Sequence, residues 1–406
     1  MAEQLKTFFS PALVRRLARD IERVHADFDS RAFVRTATKG LDDKELLDRG
    51  RHIAHALARH LPPAYPEALA ILVRSLGPEH ANDELVGAGM GPFFYLPHTV
   101  YVAEHGLDHF DLSMDAQYEL TKRFSAESSI RPFIARDPER TLRKLREWTT
   151  DPSAHVRRLV SEGTRLRLPW AMRVRWLDEN PERVVELLEC LKDDPTTLVR
   201  RSVANNLNDL GKVHPALLVA TCERWSRDAT AERRALVEHA LRSAVKRGDP
   251  PALRLLGFGR KPAVVIEDVR FVPARVPIGG RVTIRLVLRS TARVAQDLLI
   301  DLAVHFVKAR GTTSPKVFKV RRASLAARAR LELRVGVSLA VHTTRKPHPG
   351  KHTVEVLVNG ISYPAGAFEV TAPRAARRPN ADGSRARSSP PAADVASAQL
   401  KGPRRP

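Results

Sequence analysis

The chain has 406 residues, more than a single hydrophobic core usually organises, so at least two domains are expected. Its net charge of +22 points to a polyanionic partner, nucleic acid ahead of an acidic membrane surface, because no basic amphipathic helix accompanies the charge. Two cysteines exclude a disulfide framework, no apolar run nears the ~18 residues of a membrane span, and the charged N-terminus lacks a cleavage pattern, so we expect a soluble, cytoplasmic protein.

Leu13, Leu17, Ile21, Val24 and Phe28 form an apolar helical stripe, and helix-like patterns run through 43–60 and 66–76. The string GAGMGPFFYLP (87–97) reads as a loop, since no strand precedes it and Pro92 interrupts it, and it is assigned no phosphate. His52, His55, His60, His98, His105 and His109 lack accompanying ligands at metal spacing and are expected as surface or capping residues. No cofactor and no metal are expected. Cys190 and Cys222 lie among apolar residues in predicted helices and read as reduced core side chains.

From about residue 115 the helices repeat. Aligning DPER (137–140) with NPER (180–183) also aligns Val156-Arg157-Arg158 with Val199-Arg200-Arg201, an offset of 43, and ERRALVEHALRSAVKRG (232–248) follows about 33 residues later. This suits HEAT-like helix pairs stacked into a solenoid, about six of them if the period extends to the N-terminus. In HVRRLVSEGTRLRLPWA (155–171), Val156, Leu159, Val160, Gly163 and Leu166 mark a buried face, with Arg158, Glu162 and Arg165 opposite. In the echo at 198–210, Val199, Val203, Leu207 and Leu210 face inward, with Arg201, Asn205, Asn208 and Asp209 opposite. Arg rows neutralise phosphates, but carboxylates facing the same polyanion oppose that binding and need another explanation. Ion pairing is one for Glu162, with Arg158 at i−4 and Arg165 at i+3, whereas Asp209 has only Lys212 at i+3. Trp170, directly after Pro169, reads by itself as a core aromatic.

The texture changes at 256–265. Segments 264–272, 282–290, 297–307, 316–320, 330–339, 352–360 and 367–371 alternate apolar and polar residues, seven short strands that predict an immunoglobulin-like sandwich. The expected division is a helical solenoid over 1–259, a sandwich over 264–371 and a disordered basic tail over 372–406. Residues 264–371 hold 18 Lys/Arg against 7 Asp/Glu, a net +11, so the sandwich is expected to clasp DNA opposite the solenoid.

The segments RFSAESSIRPF (123–133), HVRRLVSEGTRLRLPWA and VRRSVANNLND, in this order and followed by the sandwich, resemble the DNA alkylation repair glycosylases built from HEAT-like repeats, the AlkC branch more closely than AlkD. The resemblance spans roughly residues 1–371. It implies a monofunctional glycosylase that removes cationic N-alkylated bases, chiefly 3-methyladenine and 3-methylcytosine, from duplex DNA and leaves an abasic site; separately, a monomer associated with the nucleoid is expected. It places active-site residues at Glu127, Glu162, Trp170 and Asp209, with DNA contacts expected from Arg131, Arg157, Arg158, Arg165, Arg200, Arg201 and Asn205. Ser128 stands where an aromatic is expected after the first glutamate. The chemistry is coherent: a base already carrying positive charge leaves without protonation, so carboxylates serve best by stabilising an oxocarbenium-like sugar and holding a water, and an indole offers its π face to the cation. A non-catalytic DNA-binding or architectural solenoid is the competing reading, and a protein-interaction solenoid, whose binding would be insensitive to salt, comes third.

Overall fold

The computed structural model describes residues 5–80, 91–341 and 346–372. The expected tail, and the first half of the 87–97 string, lie almost wholly outside the described residues. Among the described residues the helical part comprises α1 (Pro11–Glu22), α2 (Ser30–Thr38), α3 (Leu46–His60), α4 (Tyr65–Arg74), α5 (Leu96–His105), α6 (Phe110–Thr121) and α7 (Ile130–Arg136). It continues with α8 (Pro138–Glu147), α9 (Ala154–Gly163), α10 (Arg175–Glu179), α11 (Pro181–Leu191), α12 (Thr197–Leu210), α13 (Pro215–Ser226), α14 (Ala231–Lys246) and α15 (Pro250–Leu255). The second half of the 87–97 string is helical rather than loop: Gly91–Tyr95 forms a 3₁₀ turn leading directly into α5. Pro97 sits in the first turn of that helix, where its missing N–H leaves no intrahelical bond unmade.

The 43-residue echo is a structural repeat. Pro138 and Pro181 each open a first helix, and α9 and α12 are the second helices. Asp137 caps α8 by accepting from the Arg140 N–H at 3.1 Å. The aligned Asn180 makes no such side-chain cap. Helices α9, α12 and α14 lie side by side over one apolar core that includes Val156, Leu159, Val199, Val203, Leu207 and Leu241. Helices α1 to α5 build a second core around Leu17, Ile21, Phe33, Ile53 and Leu57. Cys222 is buried as expected, but Cys190 is exposed, because the packed face of α11 runs through Val184, Leu187, Leu188 and Leu191. His98 corrects a second expectation, being 1 % exposed in the core.

Among the described residues the sandwich has eight strands: β1 (Val264–Val272), β2 (Arg275–Pro277), β3 (Arg281–Ser290), β4 (Gln296–Val307), β5 (Thr313–Leu325), β6 (Arg330–Ser338), β7 (Gly350–Val358) and β8 (Ile361–Thr371). The strand that the sequence pattern missed is β2, three residues long and parallel to β8. One sheet runs β1-β3-β6, the other β2-β8-β7-β4-β5. Val282, Ile284, Leu286 and Leu288 alternate inward along β3 to meet Leu298, Ile300, Leu302 and Val304 of β4. β4 is buried on both faces, because its other set faces the helices: Leu299 belongs to the helical core.

The five-stranded sheet therefore lies against the solenoid and the three-stranded sheet is the outer layer. Arg322 of β5 closes the junction on Glu238 of α14 with two bonds of 2.7 and 3.1 Å. Gly248 and Gly360, both at positive φ, meet so closely that a Cβ on Gly248 would stand 3.0 Å from the Gly360 carbonyl oxygen.

Candidate active site

Three charged segments from successive parts of the solenoid converge. Arg158 of α9 donates to Glu127 at 3.1 Å and lies 3.9 Å from Glu162. Arg165, just past α9, donates to Glu162 at 2.9 Å and reaches across to the next repeat, where its Nε meets Asp209 at 2.8 Å. Lys212 completes the run, 2.7 Å from the second oxygen of Asp209. The result is an alternating row, Glu127, Arg158, Glu162, Arg165, Asp209, Lys212. Burial alone would lower the Arg165 pKa, but Glu162 and Asp209 outweigh it and raise it.

The carboxylates are far from equivalent. The side chains of Glu162 and Asp209 are 5 % and 2 % exposed, so the expected solvated stripes are instead an inter-repeat seam. Asp209 has both oxygens engaged by cations, Oδ2 by Nε and Nη2 of Arg165 at 2.8 and 2.7 Å and Oδ1 by Lys212, and a carboxylate with about four acceptor positions keeps room for a water proton on Oδ1. Glu127 is more open, and its contacts with Ser125 (2.9 Å) and Arg158 both fall on Oε2. It faces a cleft of about 380 Å³ whose walls include Phe93, Phe124, Ser128, Arg158 and Trp170. Glu162 and Asp209 do not line that cleft; Arg158 links it to their seam.

Trp170 is no core residue. It is 68 % exposed and sits at φ 63°, a left-handed conformation that costs an L-residue roughly 1–2 kcal/mol. What holds it there is Arg131, which corrects the expectation of a DNA contact at that position. At 1 % exposure, its guanidinium donates to the carbonyls of Gly163 (2.8 Å), Arg165 (2.9 Å) and Met172 (2.6 Å), clamping both ends of the loop that presents Trp170. Burial pushes its pKa down to about 10. Gly163 is required at the same crossing, because a Cβ there would lie 2.7 Å from Ile130.

The remaining arginines divide. Arg157 is spent on Asp194 (2.6 Å) and on the carbonyls of Asp151 and Pro152. Arg200 is spent on the carbonyls of Asp194 and Pro195. Both are loop staples first. Arg201 is exposed and lines a groove between α12 and α14 with Thr197, Ala235 and His239. Asn205 accepts from Arg242 at 2.9 Å and pairs with His239 at 3.1 Å. Burial first, then the charges of Arg242, Arg201 and Lys319, lower the His239 pKa.

The sequence reading missed His239, Arg242, Phe93 and Phe124. The first two had a signal: the third repeat echo puts α14 beside α12, so α14 had to present residues to Asn205. Phe93 lies in the 87–97 string and Phe124 three residues before Glu127, but no period marks either of them as facing the cleft. Among the described residues, no group of three or more His, Cys, Asp or Glu side chains could hold a metal, and no helix is long and apolar enough to cross a membrane.

A helical-repeat scaffold with a buried acid–base seam, an exposed indole beside it and an appended immunoglobulin-like sandwich defines a class of two-part repeat protein. Residues 265–372 match the family described as "Uncharacterised protein YhaZ, C-terminal Ig-like domain". The "Uncharacterized protein YhaZ" of Bacillus subtilis (strain 168) is 32% identical over 367 residues, covering 90% of this chain and 99% of that protein. A solved structure of the Pseudomonas fluorescens alkylpurine DNA glycosylase AlkC, bound to DNA containing an abasic site analog, superposes with a TM-score of 0.84 at 36% identity, over 91% of this chain and 100% of that one. The chain belongs to the AlkC branch of the HEAT-like-repeat DNA alkylation repair family.

Proposed function

We propose that this protein is a monofunctional DNA glycosylase that hydrolyses the N-glycosidic bond of cationic alkylated bases, 3-methyladenine and 3-methylcytosine, in duplex DNA and leaves an abasic site. The observation that carries the reading is the alternating row from Glu127 to Lys212 beside a Trp170 held exposed against its own backbone preference. The relative named as an alkylpurine DNA glycosylase supports it across nearly the whole chain.

The cationic base is its own leaving group, so the protein contributes where charge appears, on the sugar. Arg165 fixes Glu162 and Asp209 in place before substrate arrives, and such preorganisation costs nothing at the moment of reaction. Asp209 accepts a proton of the attacking water, Glu127 approaches the opening sugar from the cleft, and the indole of Trp170 meets the positive base. Arg201 and Arg242 hold the backbone, and the basic sandwich braces the duplex from the other side.

The test is incubation with duplex DNA containing 3-methyladenine, followed by chemical or enzymatic cleavage at abasic sites. Strand cleavage that depends on this second step supports the reading. One observation favours the rival, a non-catalytic architectural protein: Glu162 and Asp209 are already satisfied as a structural staple. That protein would bind the duplex and leave it intact.

A further inference from the structure

The outer sheet of the sandwich carries a feature that neither the seam nor the cleft uses. Arg285 of β3 stands opposite Arg270 of β1 and opposite Arg334 of β6, so three arginines lie side by side across three strands. All three are exposed, as is Arg281 four residues before Arg285 on the same face. Inward neighbours Ile284 and Leu286 are buried, which fixes the arginines on the outer surface.

Directly opposed like charges destabilise a sheet, and the molecule shows how such repulsion is relieved elsewhere. Two rows along, Arg289 and Arg330 are also opposite one another, and Glu267 bonds both at 2.7 and 2.8 Å. Among the described residues the central row has no such partner. The exposed Glu332 sits one row away, opposite Val287 rather than Arg285, and forms no ion pair within 4.0 Å among the described residues. The repulsion is left for something outside the chain to neutralise.

We propose that Arg270, Arg285 and Arg334, with Arg281, form a second phosphate-binding face for the sugar–phosphate backbone of duplex DNA. Strands lie about 4.8 Å apart, so the row spans about 10 Å. At about 3.4 Å of helix axis per phosphate, that reach covers about four successive phosphates of one strand, enough to give each of the three arginines its own contact. Guanidinium groups suit this partner because they bond phosphate oxygens bidentately. The five-stranded sheet stands between this row and the solenoid, so the duplex held here is a different segment from the one lying against Trp170. The protein thus bridges two stretches of DNA, an inference that rests on the reading of the helical face as the lesion site.

The test uses the full chain and Arg270→Gln/Arg285→Gln/Arg334→Gln. Energy transfer between donor- and acceptor-labelled lesion-free duplexes reports bridging, and binding across a salt series reports phosphate contacts. The variant is expected to lose the transfer and to flatten the slope of log affinity against log salt by about 2.7, the value for three phosphate contacts. Single-turnover excision from a short lesion duplex stays unchanged. A second variant, Arg285→Glu, guards against misfolding: its carboxylate lies between two arginines, so it should fold at least as well and still abolish bridging. Unchanged bridging and salt slope in both variants would overturn the proposal. Bridging by a wild-type protein that excises nothing would instead contradict the proposed activity alone.

Discussion

The two halves of the molecule use arginine in opposite ways. In the solenoid, Arg131, Arg157 and Arg200 are spent on main-chain carbonyls, and Arg158 and Arg165 on Glu127, Glu162 and Asp209. In the outer sheet, Arg270, Arg285 and Arg334 face one another with no carboxylate between them. Formal charge therefore says little about where a polyanion sits until the internally neutralised residues are set aside. These solenoid arginines chiefly fix geometry; the central row of the outer sheet remains available to a partner.

The sharpest way to break this contrast is Arg165→Met. It leaves Glu162 and Asp209 as buried carboxylates without their shared cation, and removing one member of such a pair destabilises by about 3–5 kcal/mol. Excision should vanish while the melting temperature falls by several degrees; a fully stable variant would show that the seam is not structural. Truncation near Gly259 attacks the other half. The helical remainder should bind duplex DNA weakly, with a shallower salt dependence and slower excision. Because Leu299 packs into the helical core, an exposed apolar patch should also lower its solubility. Equal affinity and salt slope for both chains would relieve the sandwich of any role in DNA binding.

A further expected effect concerns stability alone. Burial lowers the His98 pKa from 6.5 to about 4, so between those values the unfolded chain binds a proton that the folded chain refuses. Stability should fall as pH drops through this window, by at most about 3 kcal/mol, and level off below it. His98→Phe should remove that part of the acid sensitivity, measured as melting temperature against pH. Deleting residues 374–406 should have the smallest effect, a slight loss of affinity that disappears at higher salt.

The sequence made the helical part legible wherever a period was present. The offset of 43 placed α9 beside α12, with Asn205 at the position equivalent to Glu162 and Asp209 one turn further on, and apolar–polar patterning pointed to seven of the eight strands found among the described residues. The exception, β2, is too short for a period to show. What stayed hidden depends on burial across repeats. Arg165 was visible as a neighbour of Glu162, but its bond to Asp209 joins residues 44 apart. Arg131 resembled a surface cation because nothing local reveals that three carbonyls converge on it. Trp170 looked like core because composition favours burying an indole, and only backbone conformation shows it held outward. The resemblance to repair glycosylases, not periodicity, singled out Glu127.

The central claim is that Asp209 acts on the reacting sugar and is not merely part of a staple. Single-turnover excision of 3-methyladenine from duplex DNA, by the wild type and by Asp209→Asn, tests it most directly. Asparagine keeps the shape and an acceptor for Arg165 but lacks the charge, so the fold and DNA affinity should persist while the excision rate drops at least ~10²-fold, the scale of one preorganised electrostatic group. A folded Asp209→Asn protein that excises at the wild-type rate would contradict the account.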